Sequence, residues 1–159
     1  MKAAVERVVA ALREAGLETA VTEFAESTRT AEEAAAAVGT TVGQIVKSLV
    51  FLAGGRPVLA LVSGATRLDT AKLAAVAGAP IRRADAETVR AVTGYAIGGV
   101  PPMGHATPLP TYLDADLLGY DTVWAAAGTP NAVFPITPVD LERVTGARVV
   151  DVAVRSGDG

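Results

Sequence analysis

The sequence predicts a mixed α/β fold, a single mostly antiparallel sheet curled toward a barrel with helices packed around it. Three observations lead there. Helical and strand periodicities interleave along the chain. Gly54-Gly55 joins two apolar runs of strand length, which demands an antiparallel hairpin. The order of elements is not a strict succession of right-handed crossovers, which sets a doubly wound nucleotide-binding fold aside.

Taken in order, Val5, Val8, Val9 and Leu12 recur at helical spacing until Gly16. Thr19 to Phe24 reads as a short strand. Thr30-Ala-Glu-Glu33 is a capping box that opens a helix over Ala31 to Val38, closed by Gly39. Thr41 to Gln44 repeats the box on a single turn. Ile45 to Ala53 and Pro57 to Ser63 are the two hairpin strands. Asp69 or Thr70 caps a helix to Ala77, Ile81 to Arg83 is a short strand, and Asp85 caps a helix to Thr93. Gly98 to Pro110 is a loop, and Thr111 to Leu113 pairs as a short strand. Asp121 to Ala127 and Ala132 to Ile136 flank the turn Gly128 to Asn131. Thr137-Pro138 starts a helix closed by Gly146, and Arg148 to Val154 is the last strand. One domain through residue 154 and a frayed tail from Arg155 to Gly159 are expected.

Composition narrows the function. Half of the 159 residues are hydrophobic and 19% are charged, enough for one sizeable core. Aromatics are only 4%, which argues against a stacking platform for single-stranded nucleic acid. There is no Cys, so thiolate nucleophiles and thiolate metal sites are excluded, and the single His105 excludes any two-histidine site. Charged residues interrupt the N-terminal segment, unlike a signal peptide, and no apolar run approaches the ~18–20 residues of a membrane span. A soluble cytoplasmic protein is expected. The net charge of −3 argues mildly against an RNA partner, since nucleic-acid binders are usually basic.

Two segments stand out chemically. Lys47 lies in Ile45-Val-Lys-Ser-Leu-Val-Phe51, where alternation puts Ile45, Lys47, Leu49 and Phe51 on one face and Val46, Ser48, Val50 and Leu52 on the other. Both faces read as buried, and a buried ammonium is costly unless paired. Lys47 is either a lysine snorkelling from a strand end or a cation at the floor of a cleft, there to bind phosphate or polarise a carbonyl. The second segment, Gly94 to His105, holds four glycines and two prolines in a dozen residues. It suits a rigid binding wall of exposed main-chain groups, or an ordinary surface turn. It matches neither a P-loop nor a dinucleotide fingerprint. Hairpin geometry is the simplest role for the Gly128 turn, helix capping for Asp69, and a solvated or structural role for His105.

Lys47-Ser48-Leu49, the stretch Ser63 to Asp69, and above all Thr93-Gly-Tyr-Ala-Ile-Gly-Gly-Val-Pro-Pro-Met-Gly-His105 together resemble the YbaK / prolyl-tRNA-synthetase-associated editing family. Ser27-Thr-Arg-Thr-Ala-Glu-Glu33 and the Gly128 turn look like further family segments, and the resemblance spans about Thr30 to Val152. It implies a mixed α/β domain with a cleft, and hydrolysis of aminoacyl-tRNA esters without metal, cofactor or covalent nucleophile. Relatives clear cysteine, alanine or other small amino acids, often from proline tRNA. Lys47 would position the terminal adenosine and its ester, and Gly98, Gly99, Val100, Pro101 and Pro102 would line the pocket and hold a water. Thr30, Ser48, Ser63, Asp69, Tyr95, Gly104, His105, Gly128 and Asn131 are the further candidate substrate-binding residues. The implied partners are the acceptor end of a mischarged tRNA and a docking prolyl-tRNA synthetase, with no membrane, for a monomer or weak homodimer. Several cysteine-clearing relatives carry Asp where this chain has Val133, which leaves the cleared amino acid open. Two rival readings are a non-catalytic tRNA- or synthetase-binding module of the same fold and a hydrolase or carrier for an unrelated small ligand.

Overall fold

The computed structural model of the chain describes residues 2–25 and 30–155. Ser27 to Arg29 of the family segment and residues 156–159 of the expected tail lie outside them. Helix α1 (Ala3–Glu14) buries Val5, Val8 and Leu12 as the apolar stripe requires. Strand β1 (Thr22–Glu23) is much shorter than the expected Thr19 to Phe24 run. Helix α2 (Ala31–Val38) opens on Thr30, whose hydroxyl accepts the Glu33 N–H at 3.1 Å. A single turn (Val42–Gln44) carries its own capping box.

Strands β2 (Val46–Ala53) and β3 (Arg56–Ser63) form the hairpin, with Ala53 opposite Arg56. Gly54 and Gly55 both take positive φ, 56° and 85°, as a primed two-residue turn demands. Then come α3 (Thr70–Ala77), capped by Asp69, β4 (Ile81–Arg83), and α4 (Ala86–Thr93), capped by Asp85. β5 (Thr111–Asp114) runs into a short helical segment (Ala115–Gly119), an element not expected from the sequence. β6 (Val123–Ala126), β7 (Ala132–Ile136), α5 (Pro138–Thr145) and β8 (Arg148–Val150) complete the chain.

The fold is mixed α/β and mostly antiparallel, as expected, but the curled single sheet is not formed. There are two open sheets, β4-β2-β3-β5-β8 and β1-β7-β6. They meet at one parallel bridge, Ile45 to Trp124. Closure fails at the outer edge of β2. β6 reaches only its start and β4 pairs only Phe51 to Ala53, so the middle of that edge stays uncovered.

One core packs α1 and Leu141 of α5 against Leu59, Leu61, Leu113 and Phe134. A second buries Leu73 of α3 against Phe51, Val58, Ala60 and Val62 on the opposite face of the larger sheet. Arg155, assigned to the tail, is held in place, its guanidinium reaching Asp116 at 2.9 Å and Asp151 at 3.0 Å. No helix among the described residues is long and apolar enough to cross a membrane.

Asp114 is a buried carboxylate that no motif singles out. It is 0% exposed; Oδ1 accepts the Val152 N–H at 2.9 Å and Oδ2 the Asp116 N–H at 3.2 Å. Burial raises its pKa, against the pull of these two main-chain bonds. The folded protein therefore binds this proton more tightly than the unfolded chain. The contribution is present below the ordinary value of 3.8 and is lost as pH rises through the folded pKa. Urea unfolding of wild type and Asp114→Asn between about pH 4 and pH 7 should show wild type losing stability relative to the variant as pH rises.

Candidate functional site

The uncovered middle of β2 opens onto a cavity of about 310 Å³. Strand register explains why. The Ile45 carbonyl accepts the Gly64 N–H on the β3 side, whereas the Val50 carbonyl accepts the Ala84 N–H on the β4 side. Main-chain groups alternate between edges in an antiparallel strand, so Ser48 turns its N–H and C=O toward the gap between β4 and β6. The expected full burial of both β2 faces gives way here, and Lys47, Ser48 and Leu49 are only half-buried.

Lys47 lines the cavity, and its Nζ donates to the Thr66 carbonyl at 2.6 Å. That carbonyl sits in a turn fixed by Thr66 N–H to Ser63 C=O, and the Asp69 N–H that follows is held by Val152. Burial lowers the Lys47 pKa; Glu32 opposes the shift and Arg83 adds to it. An ammonium has three donors, and among the described residues the Thr66 carbonyl takes one of them.

The glycine-rich loop forms the facing wall. Gly98, at φ 90°, and Val100 line the cavity together with Lys47. The Gly99 N–H is engaged by Ala96 C=O in a turn, and its α-carbon packs so tightly that a Cβ there would sit 2.7 Å from the Thr129 Cα. Pro101 and Pro102 have no N–H. Ile97, Gly98 and Val100 are the loop residues that line the cavity, and each carries a main-chain N–H.

The loop is braced from behind. The His105 ring Nε2 lies 2.7 Å from the Pro101 carbonyl, which requires the tautomer with the proton on Nε2. Burial lowers the His105 pKa, partly offset by that bond. The Tyr95 hydroxyl donates to the Gly104 carbonyl at 2.9 Å, and the Arg7 guanidinium of α1 stacks over its ring at 4.8 Å.

The structure thus brings Thr30, Lys47, Ser48, Gly98 and Val100 to one cavity. The other candidates stand behind or away from it. Ser63 Oγ donates to the Gly43 carbonyl, and Asp69 caps α3. Gly99, Pro101, Pro102, Tyr95, Gly104 and His105 shape the loop. Gly128 rests against the Ala4 carbonyl of α1, and the Asn131 amide donates to the Phe24 carbonyl at 2.9 Å.

Several lining residues were not foreseen. Arg83, exposed at the rim, brings a second cation. Trp124, the chain's only Trp, and Thr129 and Pro130 come from the smaller sheet and its turn. Val133, left open as to role in the sequence, also lines the wall. No Asp or Glu lines the cavity among the described residues, so a cationic hollow exists despite the net charge of −3. The lone Trp and the two adjacent arginines at Arg82-Arg83 were the available signals.

Known proteins place the chain. The family model of the aminoacyl-tRNA editing domain matches residues 25–144. A crystal structure described as a candidate trans-editing enzyme for prolyl-tRNA synthetase superposes with a TM-score of 0.93 at 54% identity, covering 98% of this chain and 99% of that one. YwhH of Bacillus subtilis is 36% identical over 137 residues, 85% of this chain and 87% of that protein. EbsC of Enterococcus faecalis, named as a candidate Cys-tRNA(Pro)/Cys-tRNA(Cys) deacylase, is 29% identical over 137 residues, 84% of each. With its lysine strand and glycine-rich loop facing one hollow, this chain belongs to the aminoacyl-tRNA editing domain family.

Proposed function

We propose that this protein is a trans-acting deacylase, which hydrolyses the ester joining a small amino acid to the terminal adenosine of a mischarged tRNA, proline tRNA first among them. The observation that carries this reading is the meeting of Lys47 with Gly98 and Val100 around one cavity. Water attacks the acyl carbon, the carbonyl oxygen takes negative charge, and the bond to the ribose oxygen breaks. The amino acid leaves as a free acid and the ribose hydroxyl regains a proton. The Lys47 ammonium and the Gly98 and Val100 N–H groups suit the developing oxyanion. The walls, formed by Val50, Ala84, Val89, Ala126 and Val133 among others, favour a small apolar side chain. A synthetase pocket rejects a smaller amino acid poorly, which is why a second hydrolytic site is useful.

The similarity to a trans-editing enzyme for prolyl-tRNA synthetase and to EbsC supports proline tRNA and that synthetase as partners, and such a substrate would place the protein in the cytoplasm. The reaction as drawn calls on no metal and no cofactor. The test is release of labelled amino acid from a panel of mischarged tRNAs. Turnover on at least one small-amino-acid tRNA, with correctly charged prolyl-tRNA spared, is the expected result. No release from the whole panel, with tRNA binding retained, would leave the non-catalytic binding module as the reading.

A further inference from the structure

The outer main-chain edge of β2 lies open in the middle of the cavity. β2 lends the cavity residues from both its faces, Lys47, Leu49 and Phe51 from one and Val46 and Val50 from the other. The hollow therefore wraps around the edge of the strand instead of lying on one face. Pairing with β4 stops at Phe51 and the bridge to β6 sits at Ile45, so no strand pairs with Ser48, midway between them, among the described residues. Ser48 is half-buried although its hydroxyl is buried, so what it exposes is main chain and Cβ. In an extended residue the N–H and C=O point the same way, a donor beside an acceptor. Main-chain groups facing an apolar hollow call for a partner.

We propose that the main-chain N–H and C=O of Ser48 read the base of the terminal adenosine. The 6-amino group donates to the carbonyl, and the ring nitrogen beside it, N1 or N7, accepts from the N–H. The assignment rests on the deacylase reading above and deepens it by naming the part of the substrate that the strand edge holds. A protonated α-amine carries donors alone and an ester acceptors alone, whereas adenine sets a ring acceptor beside an amino donor on one rigid edge. A base lying edge-on to β2, in the plane of the sheet, turns its two faces toward the sides from which Leu49 and Val50 project, both of them apolar and both lining the cavity. The Lys47 ammonium is drawn back to Thr66, beyond the end of β3 that pairs with the start of β2. Ester and base therefore fall to successive stretches of one strand. Main-chain reading also explains how a hollow with few polar side chains selects a polar ligand.

The experiment compares wild type with Ser48→Pro on mischarged tRNAs that end in adenosine, purine riboside, 1-deazaadenosine or 7-deazaadenosine. Purine riboside lacks the 6-amino group, and each deaza form lacks one ring acceptor. Wild type should lose about tenfold in kcat/KM on purine riboside and on one of the two deaza ends. Ser48→Pro has no N–H, so that same deaza end should cost it nothing further relative to adenosine. Proline suits the position because the N–H it removes faces no strand. A second readout needs no variant and decides the matter should Ser48→Pro fail to fold. Titrating isotope-labelled wild type with 3′-alanylamino-3′-deoxyadenosine, an amide that resists cleavage, should move the Ser48 amide proton downfield in the NMR spectrum. An active wild type indifferent to all three base changes, a folded Ser48→Pro that keeps the deaza penalty, or an unmoved Ser48 amide overturns the assignment alone. A protein that releases nothing from any tRNA while its Ser48 amide answers the probe loses the deacylase reading and keeps the adenosine site.

Discussion

Replacing Lys47 by alanine is expected to lower the deacylation rate by about 10²-fold or more, the usual cost of losing a donor aimed at a developing oxyanion. Single-turnover release from a mischarged tRNA measures it free of product dissociation. The fold should survive, since Lys47 is half-buried and its hydrogen bond among the described residues goes to the Thr66 carbonyl. Lys47→Arg should not restore the rate, because a planar fork cannot stand in for a compact ammonium held at that carbonyl. The pH profile gives a second check. Burial lowers the Lys47 pKa, so the ammonium is lost earlier on the alkaline side than an ordinary lysine at 10.5. The enzymatic rate, after subtraction of spontaneous hydrolysis, should fall below that value, and the alkaline limb should vanish in the alanine variant.

The second large effect is expected at Gly99. Its φ is not positive; what it lacks is space. A Cβ would lie 2.7 Å from the Thr129 Cα and 2.9 Å from both the Gly128 carbonyl oxygen and the Thr129 carbonyl carbon, all main-chain atoms that cannot swing aside. Gly99→Ala must therefore push the Gly98 to Val100 wall away from the turn at Thr129. Overpacking of this kind costs about 1–3 kcal/mol, visible as a lower Tm. The displaced Gly98 and Val100 donors should cost about 10²-fold in rate, the scale of an ångström-level misplacement. Gly119→Ala is the control, since a Cβ there meets nothing within 4 Å, and both Tm and rate should be unchanged.

Features written in local chemistry were legible in the sequence. The Thr30, Asp85 and Thr137 caps and the Gly54-Gly55 turn each depend on residues within four positions of one another. Lys47 was legible as an anomaly, because an ammonium in an apolar strand has few bland explanations. Its Thr66 partner was not, since that bond depends on how the chain turns after β3. Trp124, Thr129 and Val133 join the cavity only through the bridge between the two sheets, a long-range pairing that no short motif encodes. His105 and Tyr95 were noticed for their neighbourhood, yet they brace the loop from behind, and side-chain direction in an irregular loop has no period to read. The expected barrel failed for a related reason. Hydrophobic pattern shows that a strand exists, whereas its covered length is set by what its neighbours do next.

That last point gives β4 an importance beyond its three residues. Asp85 accepts the Thr88 N–H at 2.8 Å and so turns the chain into α4 directly after Ala84, before pairing with β2 can extend toward Lys47. A helix-starting signal thus acts as the shutter of the hollow. Moving that signal two positions along would let the strands zip shut and erase the chamber without altering any side chain of β2. In this architecture the size of a binding chamber is stored in where a helix begins.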